Sequence, residues 1–455
     1  MKKLFGTDGI RGTANVYPIS PDLVLKLGQA IGIFFKEQHA LPRILIGKDT
    51  RRSGYMLEQA LAAGICSVGG DVNFLGPLPT PGIAYLTRGL RASAGIVISA
   101  SHNPFYDNGI KIFSANGYKL PDEMEAKLEA MLEDQDLSHN LPTGSRIGRA
   151  KRIDDAIGQY AVFLKEQFPK HLTLDGLRIV IDCANGAAYK VAPKVFEELG
   201  AECFLLGVEP DGSNINEQVG ALYPQRIVEQ VRLYKADLGI ALDGDADRLV
   251  IVDDKGQIVD GDEILAICGI RMMKQGRLRK NTVVSTVMSN MGLDLALDRV
   301  GAKTVRTKVG DRYVMEEMLK GDYNLGGEQS GHLIFRESAT TGDGILAALQ
   351  LLKIMTEEQI KMSDLRKCME RLPQVLKNVH VKNKVPLEEL PELSASIAKM
   401  EDRLGKAGRI LFRYSGTESV ARIMVEGQEP EEIEAIADDL CEQTVASIAK
   451  YKGNA

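Results

Sequence analysis

Apolar runs and amphipathic stretches alternate along this chain, and the alternation is written three times. "RILIGKDTRRSG" (43–54) leads into "LEQALAAGICSVGGDVNFLG" (57–76). "LRIVIDCANGAA" (177–188) leads into "APKVFEELGAECFLLG" (192–207), and "NTVVSTVMSNMG" (281–292) into "LDLALDRVGAKTVRTKVG" (293–310). Each segment is a β-branched run, a polar loop, a helix-period stretch ending near glycine, and a short strand. That is a β-α-β unit, whose crossover predicts a parallel pair. A further apolar run follows each unit and delivers a distinctive loop: "AGIVISASHNP" (94–104), "LGIALDGDADR" (238–248) and "YNLGGEQSGH" (323–332). Loops at strand carboxyl ends gather on one side of a sheet, where open α/β proteins place their chemistry.

The repeat predicts an α/β fold: three related mixed α/β domains around a central cleft, plus a smaller C-terminal α+β domain. Residues 135–152 are polar with Gly and Pro and read as a linker, and "DDKGQIVDGD" (253–262) reads as a turn ahead of the next helix. From about residue 372 the texture changes to two strands around a loop (409–427) and a long amphipathic helix. The expected domains are 1–150, 151–252, 253–370 and 371–455. A chain of 455 residues is too long for one hydrophobic core.

Composition narrows the function. Aromatics make up 5%, Trp is absent and the net charge is −6, so neither a stacking platform for nucleic acid nor a global basic field is present. Any anionic substrate must be met by local Arg and Lys. No run is long and apolar enough to span a membrane, and the opening "MKKLFGTDGIRG" contains no signal-peptide core. Six scattered cysteines without a C-x-x-C read as reduced core residues of a cytoplasmic protein.

The loops carry the candidate chemistry. Asp243, Asp245 and Asp247 alternate after a strand, and three adjacent carboxylates repel unless a hard cation such as Mg²⁺ sits among them. An EF-hand would need Gly at the sixth position and Glu at the twelfth; Arg248 and Asp254 stand there. Ser101 lacks the G-x-S-x-G of a hydrolase elbow. His102, its immediate neighbour, is not obviously placed to deprotonate it. A serine phosphate suits this position better, because it would bring oxygens and negative charge to the cation. In "RYSGTES" (413–419), Ser415, Gly416 and Thr417 with Arg413 and Arg422 read as an anion cradle. Glu328 and Ser330 suit vicinal sugar hydroxyls, and His332 titrates near neutrality. Arg11 and Lys111 lie in Gly-bearing turns.

"SASHNP", "DGDADR", "GEQSGH" and "RYSGTE" together, in this order, resemble the α-D-phosphohexomutase superfamily from end to end of the chain. "FGTDGIRG", "TVMSNMG" and Gln329 are in the style of its bacterial branch that acts on glucosamine phosphates. The resemblance implies four domains around a cleft, a phosphoserine at Ser101, and one Mg²⁺ held by Asp243, Asp245, Asp247 and that phosphate. Glu328 and Ser330 would hold the sugar's 3- and 4-hydroxyls. Arg413, Ser415, Gly416, Thr417 and Arg422 would hold the phosphate that is not reacting. Arg11, His102, Lys111, Arg248 and His332 would stand near the transfer, with Lys111 the first and His332 the second general acid/base candidate.

The implied reaction interconverts glucosamine 6-phosphate and glucosamine 1-phosphate through glucosamine 1,6-bisphosphate, supplying UDP-N-acetylglucosamine for the cell wall. The implied partners are a small phosphosugar and a second copy in a homodimer, without nucleic acid or membrane. Phosphomannomutase or phosphoglucomutase chemistry on the same machinery is the nearest alternative. An Asp243-based phosphatase or a silent sugar-phosphate binder would leave the serine loop or the cradle without a purpose.

Overall fold

In a computed structural model of the protein, the described residues are 4–6, 8–37, 41–133, 137, 141–405, 408–415 and 419–451. Four sheets succeed one another along the chain. The first contains β1 (Ile10–Thr13), β2 (Arg43–Lys48), β3 (Asp71–Pro77), β4 (Ala94–Ile98), β5 (Asp107–Ser114) and β6 (Ala150–Arg152), in the order β1-β5-β4-β2-β3-β6. The second contains β7 (Arg178–Asp182), β8 (Glu202–Leu206), β9 (Leu238–Leu242), β10 (Leu249–Asp253) and β11 (Ile258–Val259), ordered β11-β10-β9-β7-β8. The third contains β12 (Thr282–Thr286), β13 (Lys303–Thr307), β14 (Leu325–Gly327) and β15 (Leu333–Phe335), ordered β13-β12-β14-β15.

One pattern underlies all three sheets. A first strand pairs in parallel with the strand after its crossover helix on one side and with a third strand on the other. An antiparallel hairpin then returns from the third strand. The hairpin loops are the three singled out by sequence, so the repeat in the hydrophobic pattern is a repeat in topology. The central strands are buried on both faces, which is why they read as unbroken apolar runs.

Two details depart from the linker and turn readings. Residues 150–152 rejoin the first sheet by pairing with β3, although every side chain of β6 is exposed. An edge strand pairs through its backbone and needs no apolar side chains, so composition hides it. Residues 258–259 extend the second sheet, and Asp260 then caps helix Gly261–Lys274 in a capping box with Glu263.

The fourth sheet is different. β16 (Gln374–His380), β17 (Arg409–Tyr414) and β18 (Val420–Glu426) are ordered β16-β18-β17, all antiparallel, and pack against helices Pro391–Leu404 and Pro430–Lys450. Its apolar cluster is separate, whereas one large cluster runs continuously through the first three sheets. A second face of the first sheet is covered by helices Pro21–Lys36 and Arg52–Ser67.

Those two helices touch through glycine. A β-carbon at Gly28 would meet the Leu61 carbonyl, and one at Gly64 would meet the Leu25 carbonyl. Backbone cannot yield as a side-chain tip can. Gly64→Ala therefore lowers stability by about 1–3 kcal/mol, although alanine is the better helix former. A first thermal transition at or above that of the wild type would contradict this packing.

Candidate active site

Ser101 opens the turn after β4 with φ at +51°, a left-handed conformation unusual for serine. A neighbouring guanidinium holds it there. Arg51 is fully buried, and its Nε donates to Asp49 Oδ2 at 2.7 Å. Nη2 donates to the carbonyls of Ser101 and Asn103, both at 2.8 Å, and Nη1 to those of Pro104 and Asp107. All five N–H groups of the fork are spent on one loop and its anchor. Asp49 also accepts from Ser99 Oγ, which in turn accepts from the Ser101 N–H at 2.9 Å. From the second sheet's side, Asn216 donates to the carbonyls of Ser101 and Asn103.

Held this way, Ser101 Oγ donates to Asp243 Oδ2 at 2.6 Å across the boundary between the first two sheets. The same left-handed turn brings His102 Nδ1 to 3.3 Å from Ser101 Oγ. Adjacency in sequence therefore does not keep this imidazole away, contrary to the sequence expectation. Burial, then Arg248 and Arg11, push its pKa down to about 4, so the ring is neutral at pH 7.

Asp243, Asp245 and Asp247 are buried, with one oxygen of each within 4.8 Å of the others. Burial, followed by Asp247 and Asp245, raises the Asp243 pKa well above the carboxylate range. Burial would raise Asp247 too, but Lys111 and His332 outweigh it and hold that carboxyl low. Oδ1 of Asp245 and of Asp247 are buried without a hydrogen-bond partner. Three buried carboxylates this close, two of them with an orphaned oxygen, fit a divalent cation with oxygen preference.

A shell of cations surrounds them. Lys111, on β5, stands 3.1 Å from both Asp245 and Asp8 and 3.6 Å from Asp247. Burial disfavours its charge, but Asp245, Asp8 and Asp247 together raise its pKa, so it is protonated here. Arg11 pairs with Asp8 and reaches Asn103. Arg248 follows the acidic loop and bridges to His332 of the third sheet, where Leu249 N–H also donates to Gly331 O. Gly331, at φ +90°, lies so close to the Leu249 carbonyl that a side chain would collide with it.

In that third loop, Glu328 Oε1 accepts from Gly310 N–H at 2.9 Å. His332 lies 3.6 Å from Asp247 and 3.8 Å from Asp311. Burial opposes its charge, but Asp247 and Asp311 outweigh burial and raise its pKa. The Gly342 N–H aimed at Nε2 at 3.0 Å decides for the neutral ring, because two N–H groups cannot face each other at that distance.

A cavity of about 550 Å³ is lined by Arg11, Ser101, His102, Asp247, Arg248, Glu328 and His332, together with Asp8, Gly310 and Asp311. Asp243, Asp245 and Lys111 are buried behind this wall. Ser330 is exposed and does not line it. Neither do Arg413, Ser415 and Arg422, which form their own group on the fourth sheet. Arg413 and Arg422 face each other directly across β17 and β18. Burial and then Arg422 lower the Arg413 pKa, and its Nε is buried without a partner among the described residues. Like charges opposite one another in a sheet are unfavourable, which suits an anion between them. Lys384 adds a cation here, donating to the Ser415 carbonyl. Gly416 and Thr417 lie outside the described residues.

Sequence reasoning missed Arg51, Asn216, Asp8, Lys119, Asp311, Lys384 and Thr80, whose hydroxyl donates to Asp245 Oδ2. "GKDTRRSG" offered a signal for Arg51, as polar residues after a strand end, and "FGTDGIRG" one for Asp8. Apart from the Asp8–Arg11 and Arg51–Asp49 pairs, their partners lie far away in the chain.

Similarity agrees with the architecture. Four patterns described as phosphoglucomutase/phosphomannomutase domains match in succession: alpha/beta/alpha domain I at residues 2–139, domain II at 158–256, domain III at 260–372, and the C-terminal domain at 376–443. The chain belongs to the phosphoglucomutase/phosphomannomutase family. Relatives within this family include a protein named phosphoglucosamine mutase from Pelobacter propionicus, 58% identical over 97% of both chains. Another of that name, from Geobacter sp. (strain M21), is 57% identical over 99% of this chain and 98% of its own. The fold is shared with a family protein of Burkholderia thailandensis, at TM-score 0.84 and 24% identity over 99% of both chains. N-acetylphosphoglucosamine mutase of Aspergillus fumigatus matches at TM-score 0.66 and 15% identity, over 98% of this chain and 96% of its own. No helix among the described residues is long and apolar enough to cross a membrane.

Two outcomes follow from the site geometry. Arg51→Lys keeps a charge for Asp49 but loses the fork, so kcat falls about a hundredfold in a protein that circular dichroism shows folded. Wild-type kcat would remove Arg51 from its positioning role. Arg413→Ala weakens phosphosugar binding about tenfold to a hundredfold by calorimetry, as loss of a charge-assisted contact does. Unchanged binding would reject the cradle.

Proposed function

We propose that the chain interconverts glucosamine 6-phosphate and glucosamine 1-phosphate, with Ser101 as a reloadable phosphoryl carrier. The observation that carries this reading is the Ser101 hydroxyl, 2.6 Å from Asp243 in a buried three-carboxylate cluster and open to the 550 Å³ cavity. The two highly identical relatives named phosphoglucosamine mutase support the choice of sugar.

In the forward direction, the O–P bond at Ser101 breaks as the sugar's O1 bonds to phosphorus. The O1 proton passes to a base, the freed Ser101 Oγ takes up a proton that it gives back when it is rephosphorylated, and the product of this half is glucosamine 1,6-bisphosphate. The bisphosphate turns in the cleft, its O6–P bond breaks, the phosphoryl group returns to Ser101 Oγ, and O6 regains a proton. A Mg²⁺ held by Asp243, Asp245 and Asp247 would neutralise charge on the migrating group.

The chain's own residues supply the rest. Arg51 and Asn216 fix the carrier loop. Arg11 and Arg248 place positive charge on the cavity wall. Glu328 holds sugar hydroxyls, with Ser330 beside it. Arg413, Ser415 and Arg422 grip the idle phosphate. Lys111, protonated and held so by Asp245 and Asp8, places positive charge beside the transfer and remains a proton-transfer candidate. His102, neutral and 3.3 Å from Oγ, joins Lys111 as a proton-transfer group. His332 Nε2 is engaged by Gly342, which places His332 after both.

Turnover of glucosamine 6-phosphate should exceed that of glucose and mannose 6-phosphates, and mass spectrometry should find phosphate on Ser101. Ser101→Ala should abolish isomerisation. A fully active alanine variant would end this account, and a preference for mannose or glucose phosphate would reassign the sugar.

A further inference from the structure

If the substrate is an amino sugar, the cleft must meet an ammonium at C2, and most of its carboxylates are already engaged. Asp243, Asp245 and Asp247 form the cation cluster. Asp8 is surrounded by Lys111, Lys119 and Arg11, which outweigh burial and hold it ionised. Glu328 receives Gly310 N–H and, in the proposed function, the vicinal hydroxyls.

Asp311 remains. It lines the same cavity and opens helix Asp311–Gly321. Its Oδ1 accepts from Arg312 N–H at 2.8 Å, and its Oδ2 accepts from Lys119 Nζ at 2.5 Å. A carboxylate offers about four acceptor positions, so room is left for another donor. The preceding residue, Gly310, is the one bonded to Glu328. Asp311 is therefore next to the group that would hold O3, and C2 is next to C3 in the sugar.

We propose that Asp311 reads the C2 ammonium and sets the preference for an amino sugar over its hydroxyl counterpart. The inference rests on the proposed function. It names a specificity residue, and nothing in the chemistry at phosphorus depends on it.

The reading fixes what kinetics must show. An ammonium–carboxylate contact favours glucosamine over glucose by about tenfold to a hundredfold. The equilibrium constant of each sugar pair belongs to the sugars, so the discrimination lost in a variant must be the same in both directions of reaction.

The test compares kcat/KM of wild type, Asp311→Asn and Asp311→Ser for glucosamine 6-phosphate and glucose 6-phosphate. The expected result is a fall of at least tenfold in the glucosamine-to-glucose ratio for both variants. Lys119→Gln, which removes the neighbouring cation, should leave that ratio within about threefold. Equal losses on both sugars would overturn the inference and make Asp311 a support for Lys119. An unchanged ratio would overturn it as well. Should Asp311→Asn fail to fold, the serine variant decides. Wild type inactive on glucosamine 6-phosphate would instead overturn the proposed function, before any variant is compared.

Discussion

Three buried carboxylates with oxygens inside 4.8 Å set the terms for this molecule. At an effective dielectric of 20, each ionised pair at that distance repels by about 3 kcal/mol, so the trio rivals the whole stability of a typical domain. The chain offsets this in two ways. It leaves coordinating oxygens without protein partners, ready for a cation, and it places Lys111, Arg11 and Arg248 around the cluster. Those cations come from the first and second sheets, and the neutral His332 faces Asp247 from the third. The charge problem of one five-residue loop thus demands that three domains meet at their strand ends, and the continuous core beneath them makes that meeting rigid.

The fourth domain is attached on different terms. Its core is its own, and it meets the third through a polar seam. Arg409 bonds Glu426 and donates to the carbonyls of Val287 and Ser289; Glu426 accepts from Met291 N–H. Asn290 holds both the N–H and the carbonyl of Leu372. Polar seams exchange partners with water at small net cost, whereas apolar ones must be torn open. The proposed turning of a sugar bisphosphate would draw on this combination of a fixed carrier loop and a separately cored body joined through polar contacts.

Much of this was legible in the sequence, and the reason is periodicity. Strand, crossover and loop each leave a local pattern, so the three units and the loops at Ser101, Asp243 and Glu328 could be read directly. The text fell silent where function depends on partners distant in the chain. Arg51 reads as one arginine in a basic turn, yet it fixes a loop fifty residues away. Asp8, Lys119 and Asp311 look like surface charges until folding joins them. His102 was expected near the transfer, but its approach to Ser101 Oγ was not, because the left-handed turn at Ser101 leaves no local pattern. β6 escaped for the opposite reason: its bonding is all backbone.

The arginine pair of the fourth sheet closes the argument about what the cleft is for. Arg413 stands directly opposite Arg422 in a small antiparallel sheet, and the two charges repel each other. The acidic loop poses the mirror problem, a surplus of negative charge awaiting a cation. Two opposite surpluses in one chain, the first fixed beside a serine and the second on a separately cored domain, match a substrate charged at both ends. A phosphatase has no use for the second. The proposed carrier, donating at one end and recovering from the other, would use both.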